Sequence, residues 1–150
     1  ASPLPKKIVE VDAIKQNVAL GHVVICAGGG GIPVIDKDNT YTAIDAVIDK
    51  DAAASLLAIQ TDADMLIILT AVDKVALNYN TPDEFWLDEI NLDKVQQYVK
   101  EGHFAPGSML PKVEAAQRFV KLSNNGEAII TSLDKAAEAI SGKTGTRIVK

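Results

Sequence analysis

The sequence predicts an α/β fold: a mainly parallel sheet wound with crossover helices. Two observations carry this. Short apolar runs, which do not alternate with polar residues, recur along the chain, as expected of strands covered on both faces. Between them lie segments with helical spacing, and strands alternating with helices build wound α/β sheets. A third observation marks where a ligand would sit. The first apolar run, His22-Val23-Val24-Ile25-Cys26-Ala27, enters four consecutive glycines, Gly28, Gly29, Gly30 and Gly31, and then Ile32-Pro33.

Length and composition bound the problem. The chain has 150 residues, of which 47% are hydrophobic and 23% charged. That is enough for one domain with a sizeable core. The formal net charge is −5 with both signs mixed, which argues against a nucleic-acid partner. Cys26 is the single cysteine, so an internal disulfide is impossible and a reducing, cytoplasmic setting is expected. Buried in a strand, Cys26 reads as an inert small hydrophobe. No apolar run is long enough to cross a bilayer and no signal peptide is evident, so no membrane association is expected. The Pro-containing opening, Ala1-Ser2-Pro3-Leu4-Pro5, reads as the middle of a loop.

Taken in order, Asp12 is placed to cap a helix with Ala13, Ile14 and Val18 on one face, and Gly21 to end it. A strand is expected over residues 23–27. Val34-Ile35 and residues 41–43 flank a turn-rich Asp36-Lys37-Asp38-Asn39, which predicts a small hairpin. Asp49 is a good N-cap for the alanine- and leucine-rich helix that follows. Met65–Thr70 is a second continuous apolar strand, followed by a loop through Ala71, Val72, Asp73 and Lys74 and a short apolar piece at Val75–Leu77. Residues 78–89 are polar with Pro82 and read as a surface segment. Asn91 caps a helix carrying Leu92, Val95 and Val99, closed by Gly102. Ser108 is placed to cap the helix Met109–Leu122, where Pro111 is tolerated in the first turn. Asn124-Asn125-Gly126 turns the chain into a third strand at residues 128–131. Ser132 then caps a helix through Ile140, ended by Gly142, and Thr146–Val149 is a candidate last strand.

Ligands of open α/β sheets bind beyond the carboxyl ends of the strands. Four glycines restrict the unfolded chain little, and such a loop is kept where the backbone turns sharply or something approaches closely. Its successive N–H groups suit phosphate or carboxylate oxygens. Two familiar nucleotide motifs fail here. A Walker A loop needs Lys-Ser/Thr where Ile32-Pro33 stands, and a dinucleotide fingerprint needs glycine at Pro33. Asp49-Lys50-Asp51 sets a cation between two carboxylates. The plain reading is a helix cap with solvated charges; the functional one uses Lys50 as a compact phosphate-binding charge. Lys112, in the first turn of a helix, is disfavoured by the helix dipole unless an anion joins them. His22 and His103 have no paired ligand motif and read as structural. No metal-ligand spacing is evident, although a phosphoryl-transfer site would bring Mg²⁺ with its nucleotide.

Four blocks carry a resemblance: Cys26 to Val34; Ala46-Val47-Ile48-Asp49-Lys50-Asp51; Ile68-Leu69-Thr70 with Leu77-Asn78-Tyr79; and Gly102-His103-Phe104-Ala105-Pro106-Gly107-Ser108-Met109-Leu110-Pro111-Lys112-Val113-Glu114-Ala115-Ala116. In residues, order and spacing they resemble carbamate kinase, over essentially the whole chain but only the C-terminal half of that family's usual length. The resemblance implies an amino-acid-kinase fold, a three-layer αβα sandwich. It implies phosphoryl transfer between carbamoyl phosphate and ADP, giving ATP and carbamate, with Mg²⁺ accompanying ATP or ADP and a homodimer as the full-length form. By matched position, Lys50 and Lys112 would contact the transferring phosphates and Asp51 would orient the lysines. Asp49, Gly28, Gly29, Gly30 and Gly31 would belong to the substrate and nucleotide site, with Thr70, Ala71, Val72, Tyr79 and Met109 lining the adenosine part. The sequence departs from the family at Ala71, often aspartate, and at Lys74 and Asn80, often glycine. The family's N-terminal half holds further glycine loops and another lysine of the site. Two alternatives stay open: an amino acid kinase with a different acceptor, and a non-catalytic nucleotide-binding or protein-binding module.

Overall fold

The computed structural model describes every residue except Asn39, and the chain divides between Ala1–Thr61 and Asp62–Lys150. The central sheet lies in the second of these. Its strands β3 (Met65–Thr70), β7 (Glu127–Ser132), β8 (Thr146–Val149) and β6 (Glu89–Asn91) stand in the order β3-β7-β8-β6. β3 runs parallel to β7 and β6 parallel to β8, while β7 and β8 are antiparallel. The fold is therefore α/β with a mainly parallel sheet, as the alternating pattern implies.

Apolar residues explain the core. Ala128, Ile129 and Ile130 of β7 are buried, as are Leu66 and Ile68 of β3 and Ile148 of β8. Helix α4 (Met109–Leu122) packs on β7, β3 and β8 through a face that includes Val113, Ala116, Phe119 and Val120, all fully buried. Their spacing is that of one helical stripe. Helix α3 (Leu92–Glu101) starts where the Asn91 side chain accepts from the Lys94 amide at 3.0 Å, and ends at Gly102 with φ 78°. Among the described residues, no helix is long and apolar enough to cross a membrane.

Several expectations change in this part. Residues 78–89 lie on the surface as expected, apart from the buried Leu87, but they hold strands that the sequence did not show. Phe85–Leu87 (β5) pairs antiparallel with Val75–Leu77 (β4), and Glu89 already belongs to β6. The alternation that made these strands was hidden by their three-residue length. Ser108 makes no side-chain capping bond to α4. Ser132 does not cap a helix either; its hydroxyl donates to Asp73 at 2.5 Å. A 3-10 turn, Leu133–Lys135, separates it from the short helix α5 (Ala136–Ile140).

In the first part, β1 (Val34–Lys37) and β2 (Thr40–Ala43) form the expected antiparallel hairpin; position 39 of its turn lies outside the described residues. Helix α1 (Val11–Ala19) starts one residue before Asp12, which stands in its first turn and is not the cap. Gly21, with φ 83°, follows the end of α1 as expected. Helix α2 (Lys50–Gln60) begins at Asp49. The predicted strand at residues 23–27 is not a strand. Its backbone makes no ladder, and Val23 and Ile25 are 97% and 96% exposed. A strand needs a partner, and the apolar run alone does not supply one.

Candidate functional site

In the first part, the glycine loop is a tight double turn. The Gly28 amide donates to the Cys26 carbonyl at 2.7 Å, and the Gly30 amide to the Ala27 carbonyl at 2.8 Å. Ala27, Gly28, Gly30 and Gly31 all have positive φ, at 59°, 47°, 136° and 90°. Glycine reaches such angles without steric cost, and Ala27 is the exception. The amides of Gly29 and Gly31 take no part in these two bonds.

The close approach predicted for the loop is made by the protein itself. Gly30 is buried, and a Cβ on it would lie 2.0 Å from the Ile48 carbonyl oxygen. Ile48 directly precedes Asp49, so Gly30 seats the loop on the start of α2. No atom lies within 4 Å of a Cβ placed on Gly28 or Gly29. The space for a ligand, if the loop holds one, is therefore at Gly28 and Gly29 rather than at Gly30.

The start of α2 holds three of the four charged candidates. The Asp49 carboxylate accepts from the Asp51 and Ala52 amides at 2.9 and 3.0 Å. For Asp49 the plain reading, a helix cap, is correct. For Asp51 it is not: that residue is 7% exposed, and its carboxylate stands 3.8 Å from the Lys50 ammonium, which is largely in solvent. A buried carboxylate in the first helical turn favours the dipole and draws the neighbouring lysine to itself. Glycine loop, cap and Lys50–Asp51 pair thus form one cluster.

In the second part, Thr70 ends β3 beside Ser132, which ends β7. Ala71 and Val72 follow in the bend, and Asp73 ties the bend to β7. Its carbonyl accepts from the Thr131 hydroxyl at 3.2 Å, and its carboxylate from Ser132. Thr70, Ala71 and Val72 thus stand at the carboxyl ends of two parallel strands, where ligands of such sheets bind.

Tyr79 follows β4. Its ring meets Trp86 of β5 edge to face, with centroids 6.0 Å apart. Both rings are partly exposed, at 58% and 41%. Beside Tyr79, the Asn78 side chain meets the His103 ring at 2.9 Å. His103 lies in the connection from α3 to α4, so this contact joins the Tyr79 turn to the segment leading into α4. Met109 opens α4, and Lys112 lies three residues on, on the same face. There is no acidic residue in that first turn.

Sequence reasoning did not single out Asp73 or Trp86, which the structure places beside candidate residues. Asp73 was visible only as a polar residue in a loop, and Trp86 stood in a segment read as surface. An open depression of about 520 Å³ lined by Asp64, Gly126, Glu127 and Lys150 lies at the amino ends of β3 and β7, away from the candidate residues on this sheet. Among the described residues, no group of three or more His, Cys, Asp or Glu could hold a metal ion.

The sheet is that of an α/β protein, whose ligands bind beyond the carboxyl ends of the strands. The model of the amino acid kinase family matches residues 2–132. The chain belongs to the amino acid kinase family. It is 55% identical over 150 residues to a carbamate kinase of Clostridium perfringens, covering 100% of this chain and 48% of that one. It is also 55% identical over 148 residues to the carbamate kinase-like protein YqeA of Escherichia coli, covering 99% of this chain and 48% of YqeA. Among solved structures, carbamate kinase from Giardia lamblia bound to AMP-PNP superposes with a TM-score of 0.96 at 48% identity. That match covers 99% of this chain and 47% of that one. The chain therefore spans about half the length of the relatives it matches.

Proposed function

We propose that this chain is the nucleotide-binding half of a carbamate kinase. In that reading the complete protein moves a phosphoryl group between carbamoyl phosphate and ADP, giving ATP and carbamate. The observation that carries it is the Lys50–Asp51 pair at the start of α2, held beside the glycine turn by the contact of Gly30 with Ile48. The similarity to an enzyme bound to AMP-PNP supports a nucleotide as the ligand.

The residues suit the chemistry. Phosphoryl transfer asks for positioning and charge neutralisation rather than covalent help. Lys50 and Lys112 supply charge to the transferring phosphates. Asp51 orients Lys50, and the open backbone at Gly28 and Gly29 admits phosphate oxygens. Thr70, Ala71, Val72, Tyr79 and Met109 line the adenosine, with Tyr79 offering an aromatic surface to the base. Mg²⁺ held mainly by nucleotide phosphates needs no all-protein cage. The acceptor is anionic, so no general base is required.

Calorimetry of the chain with Mg-ADP, with an assay for ATP formed from carbamoyl phosphate, tests the reading. Weak binding at most and no useful turnover are expected of the 150 residues alone. The complete protein should turn over; a complete protein that binds Mg-ADP but makes no ATP from carbamoyl phosphate overturns the assignment. One comparison favours a second reading, an amino acid kinase with another acceptor: YqeA, named only carbamate kinase-like, matches as well as a carbamate kinase does. A panel of carboxylate and phosphate acceptors on the complete protein separates the two.

A further inference from the structure

His103 stands where two loops of the second part meet. Its Nδ1 lies 2.9 Å from Asn78 Oδ1, and its Nε2 lies 3.1 Å from Glu101 Oε2. The orientation of the Asn78 amide is set from its other side, where Nδ2 donates to the Asp83 carbonyl at 3.4 Å. Both ring nitrogens therefore face oxygens. A neutral imidazole donates from one nitrogen only; the imidazolium donates from both. The main chain of His103 is fixed to α3, its amide donating to the Tyr98 carbonyl at 3.1 Å, and its ring stands edge-on to Tyr98 at 5.5 Å. The ring is thus a strut from the end of α3 to Asn78.

Asn78 begins the turn that carries Tyr79. Its φ is 50° and that of Asn80 is 62°, a conformation non-glycine residues hold only with local support. The support here is the Thr81 amide on the Asn78 carbonyl at 3.1 Å, the Asn80 amide on Glu84 at 2.8 Å, and His103 on the Asn78 side chain. Tyr79 then meets Trp86 edge to face.

We propose that His103 is a proton-dependent positioning residue: as the imidazolium it holds the Asn78 turn and, through it, Tyr79, which faces the nucleotide base and meets Trp86. The assignment of Tyr79 to the base rests on the function proposed above. The charged group in contact with the ring is Glu101, with Lys94 of α3 beside Tyr98 and acting on Glu101. Hydrogen bonding from Gln97, with His103 and Lys94 adding, holds the Glu101 carboxyl below its ordinary value. Glu101 therefore presents an anion to Nε2 of the ring.

Trp86 is the only tryptophan, so its fluorescence reports this turn directly. In the ligand-free chain, Trp86 emission is expected to change with pH between about 5 and 8. His103→Gln, which cannot charge, should flatten that change. Asn78→Gly, which keeps the positive φ and removes the amide, should flatten it too, and His22→Gln should leave it intact. Circular dichroism confirms that each variant is folded, and the Asn78 variant decides the question if the His103 variant is not. In the complete protein, Mg-ADP affinity should fall with rising pH by about fivefold more in the wild type than in His103→Gln, the scale of one hydrogen bond. Emission that is flat in the wild type, or unchanged in folded variants, overturns the proposal. A chain that titrates, from a complete protein that binds no Mg-ADP, keeps the His103 strut and overturns the nucleotide reading instead.

Discussion

Gly30 sits directly under the Ile48 carbonyl: a Cβ on Gly30 would lie 2.0 Å from that oxygen. No side chain fits there, so the glycine loop and the start of α2 keep their contact only while position 30 is glycine. The loop's glycines consequently have separate duties.

Gly30→Ala should destabilise the chain by about 3 kcal/mol, from a φ of 136° and the clash with backbone together. Gly29→Ala, with open space around its Cβ, should change stability by less than about 0.5 kcal/mol yet weaken Mg-ADP binding if a phosphate approaches there. Urea titrations paired with calorimetry separate the two outcomes.

Asp49→Ala removes both acceptor contacts to the α2 amides and should cost about 1 kcal/mol, most of it recovered by Asp49→Ser. A loss well beyond that in urea denaturation would assign Asp49 more than capping.

In the complete protein, Lys112→Ala should lower kcat by about 100-fold with a smaller change in KM for ADP. That is the pattern of a charge whose contact strengthens in the transition state. Steady-state kinetics with an unchanged kcat would remove Lys112 from the mechanism.

Thr146 is fully buried in β8. Its hydroxyl accepts from the Val75 amide at 2.8 Å and donates to the Leu87 carbonyl. Thr146→Val keeps the shape but strands both backbone groups, so a loss of about 2 to 3 kcal/mol is expected in chemical denaturation. Thr146→Ser should lose less.

Stability should also fall in acid through Glu101. Its folded carboxyl titrates below the ordinary value, chiefly because Gln97 donates to it. The contribution is present above the unfolded value and is lost as pH falls through the folded one. Glu101→Gln should therefore flatten the acid side of a denaturation-versus-pH profile, compared with the wild type.

The candidate site was readable to different depths. Asp49 as a cap and Gly102 as a helix end were plain, because each acts on the backbone of its own few residues. The burial of Asp51 was not, because a charged residue two positions from a cap looks solvated until the fold covers it. Residues 23–27 had the composition of a buried strand and form none. Trp86 gained meaning only when β4 and β5 paired and brought it to Tyr79.

By itself, the sequence determined most of the helices, the caps at Asp49 and Asn91 and the place of the glycine turn. These follow from local propensity, hydrophobic spacing and backbone angles that a few neighbours dictate. Tertiary structure decided which strands pair, that β8 runs against β7, that Ile48 fills the space over Gly30, and that His103 reaches Asn78. Each depends on groups far apart in sequence arriving at the same place. No local pattern encodes that meeting, since burial and hydrogen bonding are satisfied by whichever partner the packed fold presents.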